Sequence, residues 1–394
     1  MNSFSNQLCP EEQLLLSLAR IHFTGAMKEQ ICRLAEKITD WNYFVRLANE
    51  HGLIALSHNN LSTAGAIDKV PVKVAERLRS AYLISLSQNT KIYSLLEEII
   101  SIASKENIRV ILLKGAVLEK TVYGNSGLRQ MSDIDLLVKA DDALPLRNLL
   151  LNNGFLSLPL ISPLHEKLLP YLKSHLPVMH KNGISTEIHV RLFDEYNEDL
   201  VCEIINNPEI VPGTTPEMFS PPLQLHFLYL IKHLDRHART KDLQLKLYTD
   251  IAVLIEEFSG QLLNANLIRL AEKAGLTEPL AEIVYLIDKF WDVNIPEPAV
   301  TLISGINAAK ITGKFTGFLR NPSSYPRQDD STLLFKSLHD IPVLTGKIRY
   351  VTGYFFPSLY FIKYKFRVSS RVFAIFYYPA WYWRILRMVT GRGK

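Results

Sequence analysis

Lys114-Gly115, then Arg129, then Asp133-Ile134-Asp135-Leu136-Leu137-Val138 is the stretch on which the fold of this chain turns. Two carboxylates stand at i and i+2 at the start of an apolar run that reads as a strand. Side chains alternate across a strand, so Asp133 and Asp135 point the same way. Like charges held side by side repel, and the arrangement is cheap only beside a divalent cation or a cationic partner. Magnesium takes a few carboxylates together with phosphate oxygens. The spacing therefore points to a metal–nucleotide site. Just upstream, Arg109–Lys114 reads as a buried strand, Gly115 follows, and Ala116–Tyr123 reads as a short helix ending at Gly124. A strand–Gly–helix junction presents free backbone N–H groups, a natural phosphate cradle. The loop after Gly124 delivers Arg129 just ahead of the aspartates.

A third carboxylate is expected nearby. The runs His175–His180 and Ile184–Leu192 flank Lys181-Asn182-Gly183. Asn-Gly between two strand-like runs is a strong hairpin signal. In the second strand Glu187, His189 and Arg191 share one face, and Ile188, Val190 and Leu192 share the other, the expected core face. A polar strand face is usually plain solvated surface. It gains interest here because the upstream motif lacks a third acidic group.

Taken together, Lys-Gly, an arginine ahead of Asp-Ile-Asp-Leu-Leu-Val, and the later strand Glu187-Ile188-His189 resemble the nucleotidyltransferases of the polymerase-β-like superfamily. Within it the chain is similar to the bacterial group called uncharacterised nucleotidyltransferases, over Arg109 to Leu192. The resemblance implies an α+β fold, with a polymerase-β-like core of a small mixed sheet and flanking helices, set between helical N- and C-terminal regions. It implies a Mg2+-dependent transfer of a nucleoside monophosphate from a nucleoside triphosphate to an acceptor hydroxyl or phosphate, with release of pyrophosphate. Asp133, Asp135 and Glu187 would be the catalytic residues and the ligands of two Mg2+ ions. Lys114, Gly115, Ala116, Arg129 and Ser132 would bind the nucleotide. Leu113-Lys114-Gly115-Ala116 stands where the superfamily usually has a glycine followed by glycine or serine. His189 would support Glu187. The acceptor stays open, since one fold serves many acceptors. Two alternatives are kept. A toxin-like transferase acting on tRNA or protein would arrest growth on expression and show a basic groove beside the site. A non-catalytic scaffold would bind a membrane or partner through its C-terminal tail.

The chain of 394 residues is 47% apolar and 21% charged, ordinary globular values that leave room for more than one domain. Cys9, Cys32 and Cys202 are too few and too scattered for a disulfide framework or a Cys-x-x-Cys metal site. The acidic Glu11-Glu12 start does not read as a signal peptide, so a protein of the cytoplasm, or one peripheral to its membrane, is expected. The net charge of +5 hides an asymmetry. Gly346–Lys394 holds ten Lys or Arg and no Asp or Glu, leaving 34 basic against 39 acidic side chains in the rest. This tail is also dense in Tyr, Phe and Trp. Its charge-free runs are shorter than the about 20 residues a bilayer span needs. Three roles fit it, in this order: packing a helical core, docking peripherally on anionic membrane, and contacting nucleic acid.

Along the chain, 1–105 reads as a helical region, with helices at Glu11–Ala19, Ala26–Ile38, Trp41–His51 and Val74–Lys105. Residues 106–205 form the nucleotidyltransferase core, including a helix over Asp141–Asn153. Residues 206–300 form a C-terminal helical domain, and 301–394 a loop-rich segment followed by the basic aromatic tail. Five prolines between 208 and 222 mark a connector without secondary structure, and 296–331 reads as loops. In the second helical region His226, His233 and His237 share one helix face, with Arg236, Arg239 and Lys241 around them. A zinc site there lacks a fourth ligand. His233 and His237 are instead assigned to substrate contact.

Overall fold

The computed structural model describes residues 8–172, 174–193, 197–239, 243–322, 341 and 343–389. Lys241 and residues 323–331 of the expected loop segment lie outside them. The chain forms a mixed α/β structure, rich in helix, with seven short strands among the described residues. It folds as two compact units, each drawn from three stretches of sequence.

The first unit comprises Met1–Glu98, Ile111–Ser132 and Tyr196–Arg327. Its N-terminal helices are Pro10–Leu18, Gly25–Ala35, Trp41–Glu50 and Ile54–Thr63, followed by the greater part of Val72–Ser104. They begin where their caps say they should: the Thr24 and Asp40 side chains accept from the N–H groups of Met27 and Tyr43. The later helices Leu223–Arg239, Leu245–Leu262, Ala265–Lys273 and Thr277–Trp291 pack with them. Trp291, fully buried, donates its indole N–H to Ala19 O (2.6 Å), and Arg20 donates to Trp291 O (2.8 Å). His51 is equally buried. Its Nδ1 accepts from Leu245 N–H, so its Nε2–H donates to Leu319 O. Burial pushes its pKa down to about 4.

Strand β1 of this unit is Ile111–Leu112, shorter than the expected Arg109–Lys114, although Val110 to Leu113 are all buried. The expected helix after Gly115 is a single α turn, Gly115–Leu118, followed by a π turn, Glu119–Tyr123. It ends at Gly124 with φ +61°, a left-handed stop that glycine adopts without strain. The proline-rich stretch is not a bare connector. Glu209–Ile210 and Phe219–Ser220 form strands that pair antiparallel, and Phe219 pairs in parallel with Ile111. They are two residues each and sit between the prolines, which removes any alternating pattern to read. The segment after Pro296 is likewise not all loop. Helices Ala299–Ile303 and Ala308–Arg320 occupy it, burying Phe315 and Phe318.

The second unit comprises Ile99–Val110, Asp133–Glu195 and Gln328–Lys394. Four of its strands form one sheet. In chain order they are β2 (Asp133–Leu137), β3 (Leu156–Ser157), β4 (Met179–Lys181) and β5 (Ile184–His189). β3 pairs with β4 and β4 with β5, both antiparallel, while β2 pairs with β5 in parallel. The Ala140–Asn152 helix joins β2 to β3 and stops before Gly154, whose φ is +83°. The β4–β5 turn is the expected Asn182-Gly183, with φ +53° and +77°, the left-handed pair of a two-residue hairpin. It pairs Lys181 with Ile184 and His180 with Ser185, so every later face assignment on β5 follows. Ile188, Val190 and Leu192 are buried as expected.

The tail belongs to this second unit and is helical: Leu344–Phe355, Leu359–Lys365, Arg371–Ala374 and Tyr378–Val389. Phe361, Ile362, Ala374, Trp381 and Ile385 form a small core of their own. Tyr350 packs with Leu168 and Ile341. His165 donates from Nε2 to Tyr350 O at 2.8 Å, and its ring occupies the space a Cβ on Gly353 would need. Core packing is thus one role the tail fulfils. Among the described residues no helix is long and apolar enough to cross a membrane.

Candidate active site

The parallel pairing of β2 with β5 sets the geometry. It places Asp135 opposite Glu187, with Asp133 opposite Ser185 and Leu137 opposite His189. Asp135 and Glu187 therefore stand beside each other, and face parity brings His189, two residues on, to the same side. Asp135 is 4% exposed and His189 2%, while Glu187 reaches further toward solvent. An ionised carboxylate can only accept, so His189 Nε2–H donates to Asp135 Oδ1 (2.9 Å), with Glu187 Oε2 at 3.4 Å. One donor atom from each of the three residues lies within 4.8 Å of the others, and among the described residues this is the group able to hold a metal ion. Asp133 lies on the same face of β2, half-buried at the strand's start, outside that group. His175 meets the far end: it bridges His189 in the backbone, with ring centroids 5.3 Å apart.

Two carboxylate oxygens and one imidazole nitrogen at this spacing suit a divalent cation. The oxygens favour Mg2+ or Mn2+, and an imidazole extends the set to softer metals. The group differs from the expected one in two respects: Asp133 lies outside it, and His189, which contacts both carboxylates, is a candidate ligand beyond its expected support of Glu187.

In the first unit, Lys114, two residues past β1 and just before the Gly115–Leu118 turn, has a rare conformation, φ +51° and ψ −125°, which costs a non-glycine residue strain. Its backbone N–H donates to His226 Nε2 at 3.0 Å. His226 must therefore be neutral, and burial, reinforced by the charge of Arg129, pushes its pKa down to about 3. Gly115 lies directly under Arg129: a Cβ there would fall 2.1 Å from Nη1 of the guanidinium. Ala116 is buried, its carbonyl accepting from the Tyr93 hydroxyl at 2.8 Å. Ser132 is exposed.

Arg129 is buried and forms a bidentate pair with Asp250, Nε to Oδ1 at 2.8 Å and Nη2 to Oδ2 at 2.7 Å. Tyr123 donates to the same Asp250 Oδ1 at 2.9 Å, and the buried phenol is pushed far above its ordinary pKa by burial and by that carboxylate. Asn89, buried on the long helix, holds the loop from the other side. Its Nδ2 donates to Ser126 O and Arg129 O, and its Oδ1 accepts from Met131 N–H. Sequence reasoning missed Asn89 and the role of Asp250. The one available signal was a lone acid in the apolar run Tyr248–Ile255 and a lone amide in a helix.

His233 and His237 lie together on the Leu223–Arg239 helix, ring centroids 4.3 Å apart, with Arg236 Nη2 3.5 Å from His233 Nδ1. They form no metal group with His226 among the described residues.

A model of a family described as uncharacterised nucleotidyltransferase matches residues 37–292, nearly two thirds of the chain. Among curated proteins none matches closely enough to count as a relative.

Proposed function

Since the chain belongs to the uncharacterised nucleotidyltransferase family, we propose that it transfers a nucleoside monophosphate from a nucleoside triphosphate to an acceptor hydroxyl or phosphate, releasing pyrophosphate. The observation that carries this reading is the convergence of Asp135, Glu187 and His189 within 4.8 Å. Asp135 and Glu187, with Asp133 on the same strand face, would hold Mg2+, and His189 offers a nitrogen ligand beside them. Bound divalent cations would supply positive charge to the attacking and leaving oxygens and to the triphosphate.

The chain's own residues divide the remaining work. Glu187, more accessible than Asp135, completes the metal site that lowers the acceptor's pKa or takes the acceptor's proton directly. Without a cation, His189 holds the buried Asp135 carboxylate in place through its 2.9 Å hydrogen bond; a ring nitrogen that ligates an ion no longer donates. The Lys114 side chain and Arg129 offset the charge that builds on departing pyrophosphate, and the Gly115 backbone N–H, with Ala116 and Ser132, lets phosphate oxygens approach the chain. Gly115 is required because any side chain there would displace Arg129. His233 and His237 contact substrate.

Isothermal titration of the full chain with ATP and CTP, each with and without Mg2+, tests the proposal. At least one triphosphate binds, and binds more tightly with Mg2+. A folded chain that binds no nucleoside triphosphate in either condition contradicts it.

A further inference from the structure

Among the described residues, most exposed large hydrophobic side chains lie in one stretch, Val343 to Leu386. Elsewhere such residues are scattered, as on any protein. In the Leu344–Phe355 helix the exposed ones are Leu344, Ile348, Val351 and Phe355. Their spacing of i, i+4, i+7 and i+11 is one continuous stripe. The opposite side of the same helix carries Tyr350 and Gly353, which pack against Leu168 and His165. The helix is therefore apolar on two sides, one covered by its own unit and one facing out. The last helix repeats the arrangement: Trp381 and Ile385 face the small core, while Trp383 and Leu386 face out. Between them Phe376 is 74% exposed.

The helices that carry these outward side chains are tied together. Trp381 donates to Tyr354 O (2.9 Å) and Tyr382 to Phe355 O (2.9 Å), so the final helix ties down the orphan carbonyls that end the Leu344–Phe355 helix. The exposed face is built on a fixed framework. It is also basic. Arg349, Lys365, Arg371, Arg384 and Arg387 are exposed beside it, Arg387 lies over the Trp383 ring at 5.3 Å, and from Gly346 onward the sequence holds no acidic residue.

We infer that the Leu344–Val389 helices form a docking surface for the face of an anionic phospholipid bilayer, laid along the interface without crossing it. Exposed aliphatic and aromatic residues enter the boundary between headgroups and acyl chains, Trp and Tyr settle at headgroup level, and Arg and Lys meet lipid phosphates. Charge selects this occupant. A second copy of the chain, meeting the first through the same face, would set these five cationic groups against five, with no acid in the tail to pair them. Nucleic acid would satisfy the cations, but Leu344, Ile348, Val351 and Leu386 offer its bases no stacking face. A bilayer with anionic headgroups satisfies both.

The test is sedimentation of the full chain with vesicles of phosphatidylcholine alone and of phosphatidylcholine mixed with phosphatidylglycerol, at low and high salt. The chain sediments with the mixed vesicles, far less with neutral ones, and less as salt rises. Phe376→Glu with Trp383→Glu, and separately Arg371→Glu with Arg384→Glu, each weaken vesicle binding by at least about tenfold at an unchanged melting temperature. Equal binding to neutral vesicles, binding that either double variant leaves intact, or no vesicle binding at all overturns the inference. So does concentration-dependent self-association that shields Trp383 in place of lipid.

Discussion

Arg129 and Asp250 meet in one unit as a cation and an anion in a two-point pair, whereas Asp135 and Glu187 meet in the other as two anions around one imidazole. Both arrangements are largely buried and both are held by hydrogen bonds. The first is balanced in charge and in geometry: the fork of the guanidinium matches the carboxylate, and the Tyr123 hydroxyl adds a further donor. The second gathers like charges, which raises its energy until positive charge arrives. A balanced buried pair is what a scaffold needs. A convergent acidic group is what a cation-dependent site needs. The acidic group is therefore expected to answer mutation through activity alone, and the pair first through stability, in addition to the phosphate role assigned to Arg129.

The largest effect falls on the acidic group. Asp135→Asn keeps the shape and the hydrogen bond to His189 while removing one charge. It is expected to cut nucleotidyl transfer, read as pyrophosphate release, by at least about a thousandfold, ~4 kcal/mol of barrier. Its melting temperature stays level or rises, because a repulsion is relieved. Unchanged transfer in the purified variant would erase the contrast between the two regions.

Next comes the balanced pair. Arg129→Ala leaves the Asp250 carboxylate buried without its bidentate partner and should destabilise the protein by about 3 kcal/mol in denaturant unfolding. A loss below ~1 kcal/mol would mean that the pair is not a scaffold at all. Lys114 sharpens the comparison, since its backbone is held by His226 while its side chain is assigned to phosphate. Lys114→Ala should weaken nucleoside triphosphate binding by roughly 1.5–3 kcal/mol and monophosphate binding far less. Equal losses for both ligands would place Lys114 with the scaffold.

The smallest effect, taken per pH unit, is a pH dependence. His226 and His51 are held neutral, with pKa values lowered to about 3 and about 4. In the unfolded chain each takes a proton near pH 6.5. Stability from both is complete above about pH 6.5 and is lost as pH falls from there toward about 4 and then about 3. Each contributes at most about 1.4 kcal/mol per pH unit in that window. His226→Gln should flatten the acid limb of the stability curve, as measured by denaturant unfolding across pH. An unaltered slope would remove His226 from the group of buried neutral histidines.

The parts of this fold that are legible in the sequence share a local cause. Asn182-Gly183 fixes its own turn and thereby the register of β5, so the faces of Glu187, His189 and Ile188 follow from the residue order alone. Gly124 likewise marks the end of its helix. The parts that stay hidden depend on residues far apart in sequence. Asp250 is 121 positions from Arg129, and no spacing rule connects them. The contact of His189 with Asp135 needs the parallel pairing of β2 and β5, which face parity alone does not provide. The strands Glu209–Ile210 and Phe219–Ser220 are too short to show a period. In the tail, composition tells that it is basic and aromatic, but only its packing divides the side chains into those that face a core and those that face out.

Mn2+ titration followed by electron paramagnetic resonance tests the central contrast most directly, because Mn2+ suits the same oxygen ligands as Mg2+ and reports its own binding. The full chain should bind Mn2+ and release it to excess Mg2+. Asp135→Asn and Glu187→Gln should each lose that binding, while a folded Asp250→Asn variant keeps it. Retention of Mn2+ by both acidic-group variants would contradict the assignment of Asp135 and Glu187 as the metal-holding pair.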